Sequence, residues 1–508
     1  MSETHQPGSS LTARVFLLMF AKGLAYVLGF ALPLLLVRSL DLTEFGLYKQ
    51  AFLIVGTASS ILPLGFTMSA YYFLPRESEN RGSIVLNILV FNLFAGAVAL
   101  LALLLQPKLI ETIFNSPELV PYAPLIGALI LIWVVSSLLE VVALANQEVG
   151  LSTIFIIGSQ LTKTVIMLLA AIGFPSVRAL LVAALVQGSL QVLVLVIYLR
   201  SRFGSFWREF DWSLMRMQLG YAMPIGLGAL LYVVMTDLHN YFVSYRFGPS
   251  AFAIYAIGCF SLPLVGIIGE AVGPVLIPNV SRLQKEGKIR EIVLLIASAM
   301  RKLSFVHFPT YALLLVVGPE LIAFLFTAQY LGSWPIFAIN LTLIPFLILL
   351  ADPIIRAHAE HRYFLLKLRA VTIVVLFAAL LVGTKYFGLT GAITAMVCVT
   401  VVDRLAEAVK AWRIVGVTWR DIVLIKDVGK VAVAALTAGS LTSVVRMFVM
   451  GQRPFVMLAV CGIAFAAFYL SFIWLLGVPS VEERRIIRTK LQSLQRIVWS
   501  RRSLEPLT

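Results

Sequence analysis

The sequence predicts an all-α polytopic membrane protein with about fourteen transmembrane helices: two parallel six-helix repeats followed by two further helices. Three observations predict it. Of the 508 residues, 60% are hydrophobic and 13% charged, and the mean hydropathy is +0.96. That leaves too little polar surface to face water, so lipid must be the solvent. The apolar residues form uninterrupted runs of about twenty, the length of a helix across a bilayer and not of an alternating barrel strand. Helices then satisfy every backbone group within each span. The second half also repeats the first. Shifted by 212 places, Pro107, Leu109, Ile110 and Phe114 fall on Pro319, Leu321, Ile322 and Phe326, while Glu140 falls on Asp352. Earlier in the chain the offset is 207, and Leu40, Phe45, Leu47 and Tyr48 meet Phe247, Phe252, Ile254 and Tyr255.

A short N-terminus, 1–11, precedes the first span, 12–37. That span has no small-residue cleavage site before the next loop and reads as a retained helix, not a signal peptide. Spans at 46–73, 83–105, 122–146, 152–173 and 178–199 complete a first half over 12–199. The linker 200–216, with Phe203, Phe206, Trp207 and Trp212 among basic residues, is expected at the membrane interface. Spans at 217–244, 251–279, 301–317, 334–355, 365–384 and 389–411 form the second half, 217–411. Six spans per half make the repeats run in the same sense, related by an axis along the membrane normal. Two more spans, 428–449 and 455–476, lie in the segment 412–476. In the basic tail 477–508, Ile486, Ile487, Leu491, Leu494 and Val498 recur at helical spacing, the pattern of an interfacial helix. Prolines punctuate the spans; Pro63 and Pro224, beside Gly65, Gly226 and Gly228, are the leading bending points.

The net charge of +15 is distributed by topology. With the N-terminus in the cytoplasm, 29 of the 40 Lys and Arg fall on cytoplasmic segments and adjoining helix ends, and seven on the opposite side. The positive-inside rule therefore places both termini in the cytoplasm of a multi-pass inner-membrane protein. Basic charge arranged this way faces anionic lipid and gives no reason to expect nucleic acid. Cys259, Cys398 and Cys461 sit in apolar spans without close spacing, so packing thiols are expected and neither disulfides nor a metal site.

Charges inside the membrane are costly, about 2.5–3.5 kcal/mol at a helix centre on insertion scales, and are therefore the site candidates. Lys22, Lys163 and Arg404 are the candidate cavity cations for an anionic substrate. Glu140, Asp237, His239, Glu270, Asp352 and Asp403 are candidates for ion coupling or for locking the halves together. Simpler roles stand beside these. Arg404 and Glu407, three residues apart, can pair on one helix face, His239 can be a packing residue, and Lys49, near a span end, reads as snorkelling to the outer headgroups. No nucleophile elbow, Walker-type loop or HExxH motif is present, no cofactor is implied, and an enzyme is not expected.

The segment from Ala31 to Tyr48 carries Arg38, Asp41, Glu44, Phe45, Gly46 and Tyr48. It resembles the first-to-second-helix region of Wzx-type polysaccharide repeat-unit flippases. These belong to the multidrug, oligosaccharidyl-lipid and polysaccharide exporter superfamily, and the span count and parallel repeat extend the likeness over most of the chain. The resemblance implies export of a polyprenyl-diphosphate-linked oligosaccharide, such as an O-antigen, capsule or exopolysaccharide unit, across the bacterial cytoplasmic membrane by alternating access. Membrane lipids, and a polymerase or other polysaccharide-assembly proteins, are the partners it implies, and proton or Na⁺ coupling is open. Three alternatives stay open: an ion-coupled multidrug antiporter of the same fold, a lipid II flippase, and a membrane-embedded glycan polymerase or ligase. The last would need large outer loops, which the sequence lacks.

Overall fold

The computed structural model describes residues 11–77, 79–260, 262–361 and 363–479, and every regular element among them is a helix. The first half begins with α1 (Leu11–Ser39) and α2 (Leu42–Ile61), which starts where the Asp41 carboxylate accepts the Glu44 N–H at 2.8 Å. The chain then bends by 42° through Leu64 and Gly65, both at positive φ, into a short α3 (Ala70–Phe73). After α4 (Arg81–Leu105) come the short α5 (Leu109–Phe114), α6 (Ala123–Ser136), α7 (Leu138–Ala145), α8 (Val149–Gly173) and α9 (Val177–Phe203). The second half consists of α10 (Trp212–Gly258), α11 (Pro263–Lys285), α12 (Ile289–Phe326), α13 (Trp334–Leu341), α14 (Asp352–Ala357) and α15 (Phe364–Ile414). Two further helices follow, α16 (Lys426–Phe448) and α17 (Pro454–Leu475).

Eleven of the described helices are long and apolar enough to cross a membrane, or up to twelve when the bent pair around Gly65 is one span. The expected fourteen exceeds this count, in part because two of the long helices each hold a kink at a glycine. α10 and α15, 47 and 51 residues long, each hold one residue with non-helical backbone: Gly248 (φ 77°) and Gly388 (φ 58°). Each is therefore two helices joined at a kink. The repeat explains the places. Asp41, the N-cap of α2, stands 207 residues before Gly248, and Ser176, the N-cap of α9, stands 212 before Gly388. The first half turns with a capped helix start; the second turns at a glycine, which reaches positive φ without a Cβ clash.

Other expectations need correction. The span expected at 301–317 is the middle of α12, a 38-residue helix about 57 Å long at 1.5 Å per residue. Its charged first turns lower the hydropathy without breaking the helix, because partners sit alongside: Arg290 pairs with Asp421, and Arg301 Nε reaches Asp427 at 3.0 Å. Phe206 of the linker is buried in a core and is not laid on the surface, whereas Trp207 and Trp212 are exposed. Cys398 is exposed and only Cys461 fully buried, since a membrane helix is apolar on its outer face as well. The helix expected over Val481–Arg502 lies outside the described residues.

The apolar packing divides unevenly. One buried cluster crosses between the halves, joining Phe45, Phe114 and Leu129 to Ala253, Ile322, Phe326 and Tyr330. At the end that carries the basic loops the cores are separate. One is built from the first half with the start of α10, and another from α11, α12, α14 and α15. α16 and α17 attach to the second half. Small residues on α16 (Ala434, Ala435, Ala438, Gly439) let it approach α12, with the ion pairs Arg301–Asp427 and Arg446–Glu320 at 3.0 and 2.6 Å.

Candidate functional site

The two halves meet along α2 and α10. Thr43 Oγ1 lies 2.8 Å from Ser250 Oγ, Gln50 donates to Ser244 Oγ at 2.7 Å, and Thr57 donates to Asp237 Oδ2 at 2.7 Å. One set of numbers rises as the other falls, so the helices run antiparallel. Two glycines make the approach possible. A Cβ on Gly46 would stand 2.0 Å from the Pro249 carbonyl oxygen, and one on Gly226 would stand 2.0 Å from that of Leu64. Nearby, the Arg38 guanidinium donates to the carbonyls of Phe324 and Leu325 at the end of α12, each at 2.9 Å. Glu44 accepts the Val177 N–H at 2.8 Å where α9 begins. The residues that carried the family resemblance thus close one end of the interface. Arg38 ties α1 to α12, Asp41 caps α2, Glu44 holds α9, Phe45 packs edge-on to Tyr330, and Gly46 admits α10.

Beneath this seal lies a pocket of about 500 Å³ between the halves. Its walls are related by the repeat. Pro33 and Asn240, Lys49 and Ala256, Phe52 and Cys259, and Leu53 and Phe260 all line it, each pair 207 residues apart. The pocket therefore sits where the two repeats face each other. Tyr26, Phe30, Phe252 and Phe326 add aromatic rings, and among the described residues no carboxylate lines it. Lys49 is the one cation among the described residues that line it; its ammonium sits 5.5 Å from the Phe45 ring, a place the snorkelling expectation did not include.

The other site candidates are placed as follows. Lys22 Nζ lies 3.9 Å from Glu140 Oε1, with both side chains about half exposed. Lys163 sits 4.1 Å over the Trp133 ring, which packs on Phe52 of the pocket wall, so Lys163 is one ring removed from the pocket. Asp237 is joined to Thr57 across the halves. His239 is buried, with Nδ1 2.8 Å from the Tyr255 hydroxyl. Asp403 accepts from Thr372 at 2.7 Å, between the two arms of α15. Arg404 and Glu407 follow it on the same helix, with Asp352 and Arg369 close enough to act on Glu407 electrostatically. Asp352 pairs with Arg356 along its own helix at 2.6 Å. The Glu270 side chain lies outside the described residues. Glu140 and Asp352, matched by the repeat, each stand in the first turn of a short helix after a break, where a carboxylate faces the helix's positive end. On the loop joining α11 to α12, the Lys288 ammonium 2.9 Å from Glu286 holds that carboxyl below its usual range.

Residues 35–335, more than half of the chain, match the family described as polysaccharide biosynthesis protein. No curated protein matches the sequence significantly. Among solved structures, a lipid II flippase MurJ in an inward closed conformation superposes with a TM-score of 0.72 at 13% identity, covering 93% of this chain and all of that one. A multidrug resistance MATE family transporter in its inward-facing conformation gives 0.59 at 15%, covering 82% and 96%. The Vibrio cholerae MATE transporter VcmN gives 0.56 at 16%, covering 79% and 96%. At these identities the likeness is one of fold.

Proposed function

The chain belongs to the polysaccharide biosynthesis protein family, and on that premise we propose that it is a flippase for a polyprenyl-diphosphate-linked oligosaccharide. It works in the bacterial cytoplasmic membrane by alternating access, with its basic end and both termini in the cytoplasm. The observation that carries this reading is the interface between the halves: sealed at one end by a shared apolar core, with separate cores at the basic end and a pocket beneath the seal. A glycan headgroup enters from the basic end while its lipid tail stays in the bilayer. Opening the opposite end requires the seal of Arg38, Thr43 and Gln50 to part and the two basic-end cores to close on each other. Lys22 and Lys163 are the cations that meet the diphosphate along this path. Asp237, His239, Asp352 and Asp403 are the groups through which a proton or Na⁺ gradient would drive the cycle.

Of the alternatives, a cationic-drug antiporter wants carboxylates in its pocket, and the described residues lining this one include a lysine and no carboxylate. The test is reconstitution in proteoliposomes with a fluorescent polyprenyl-diphosphate oligosaccharide, scored beside Lys22→Ala and Lys163→Ala. Export of a cationic dye against a proton gradient, with no glycan movement, would sink the flippase reading.

A further inference from the structure

We propose that the pocket between the repeats is a subsite for an acidic sugar of the transported glycan. Lys49 takes the carboxylate, the Asn240 amide takes a hydroxyl, and the rings of Tyr26, Phe52 and Phe260 cover the sugar's apolar faces. The inference rests on the flippase reading for its substrate class and goes further by assigning the charge of one sugar.

The partners that are missing carry the argument. Among the described residues no carboxylate lies within 4.0 Å of the Lys49 ammonium, whereas Lys22 has Glu140 at 3.9 Å. Nor does the Asn240 amide hydrogen-bond to any described side chain or backbone group. The Lys49 ammonium, with the Phe45 ring 5.5 Å away and no carboxylate beside it, and the Asn240 amide both line the same apolar-walled space. Together they offer a charge-assisted bond, a neutral bond and stacking surfaces, the set that recognises a charged sugar and not a lipid chain.

The repeat narrows the ligand. The residue related to Lys49 is Ala256 on the opposite wall, so the pocket matches one negative charge and not two. A diphosphate is thereby a poor fit. Lys49 also stands about 15 Å from Lys22 along the membrane normal, counting both from the α1–α2 turn at 1.5 Å per residue. A diphosphate held near Lys22 leaves the far sugars of the same substrate to reach Lys49.

The experiment measures binding of two soluble tetrasaccharides, one ending in glucuronic acid and one in its carboxyl-reduced counterpart, to purified wild type, Lys49→Gln and Lys49→Arg. Thermal unfolding of each variant reports its folding. Wild type is expected to prefer the acidic glycan about tenfold, as one charge-assisted bond gives. Lys49→Gln should lose the preference with the neutral glycan unaffected, and Lys49→Arg should restore it. Equal binding of the two glycans by wild type, or a loss that falls on both alike in Lys49→Gln, overturns the subsite. Transport of the polyprenyl-diphosphate forms of the same glycans is the second arm. A Lys49-dependent binding preference with neither form crossing the membrane leaves the subsite standing and removes the flippase reading.

Discussion

Phe114 and Phe326 stand 212 residues apart and lie in one buried cluster; Lys49 and Ala256 stand 207 apart and line one pocket with opposite character. The first pair belongs to the seal and the second to the space beneath it. In the buried cluster where the halves close on each other, repeat-related positions such as these stay apolar, because packing tolerates volume-conserving change and little else. Where they line the pocket they have diverged, as a substrate without twofold symmetry would require of the two walls. The intramembrane cations follow the second rule. Lys22, Lys49 and Lys163 of the first half correspond to Ala229, Ala256 and Val375, while Arg404 of the second corresponds to Val192.

The largest expected effect breaks the seal's freedom to part. Thr43→Cys with Ser250→Cys places two thiols where hydroxyls now touch across the halves. Oxidation should abolish glycan transport in proteoliposomes and reduction should restore it; transport that persists with the crosslink formed would show that this end does not open. Next comes Gly46→Val, whose side chain meets the Pro249 carbonyl, against Gly228→Val, which meets nothing within 4 Å. Thermal unfolding should show the first destabilised by about 1–3 kcal/mol, as overpacking gives, and the second much less.

A third variant tests the pocket's asymmetry. Lys49→Ala combined with Ala256→Lys moves the cation across the interface, and acidic-glycan transport should return to within about tenfold of wild type, the scale of one charge-assisted bond. No recovery over Lys49→Ala alone would mean that the two walls are not equivalent supports for the charge. The smallest effect belongs to Lys22 and Glu140. Their pair is half exposed at 3.9 Å, so a double-mutant cycle on stability should give a coupling below about 1 kcal/mol, after solvent screening.

Depth was legible in the sequence; facing was not. Hydropathy placed Lys22 and Lys163 well inside the membrane and Lys49 one turn from its edge, and depth alone made Lys49 a snorkelling residue. What decides its role is rotation: its helix presents Lys49 and Leu53 to the pocket because Gly46 lets α10 come close. A glycine one turn before a lysine is a signal the sequence contains, but its meaning depends on a partner helix about two hundred residues away. Lys163 was read by depth alone, whereas the Trp133 ring 4.1 Å from it lies on another helix. The motif from Arg38 to Tyr48 marked the family correctly, while its residues hold the seal and do not line the pocket beneath it.

By itself the sequence determined the solvent, the helical class, the repeat and the family, because these follow from composition and from spacing along one chain. Tertiary structure alone decided which end is closed, where the two long helices kink, and which charge opens on the pocket. The reason is geometric. Hydrophobic period and span length constrain each helix about its own axis and along the membrane normal, whereas a site between two halves depends on how helices from both are rotated against each other.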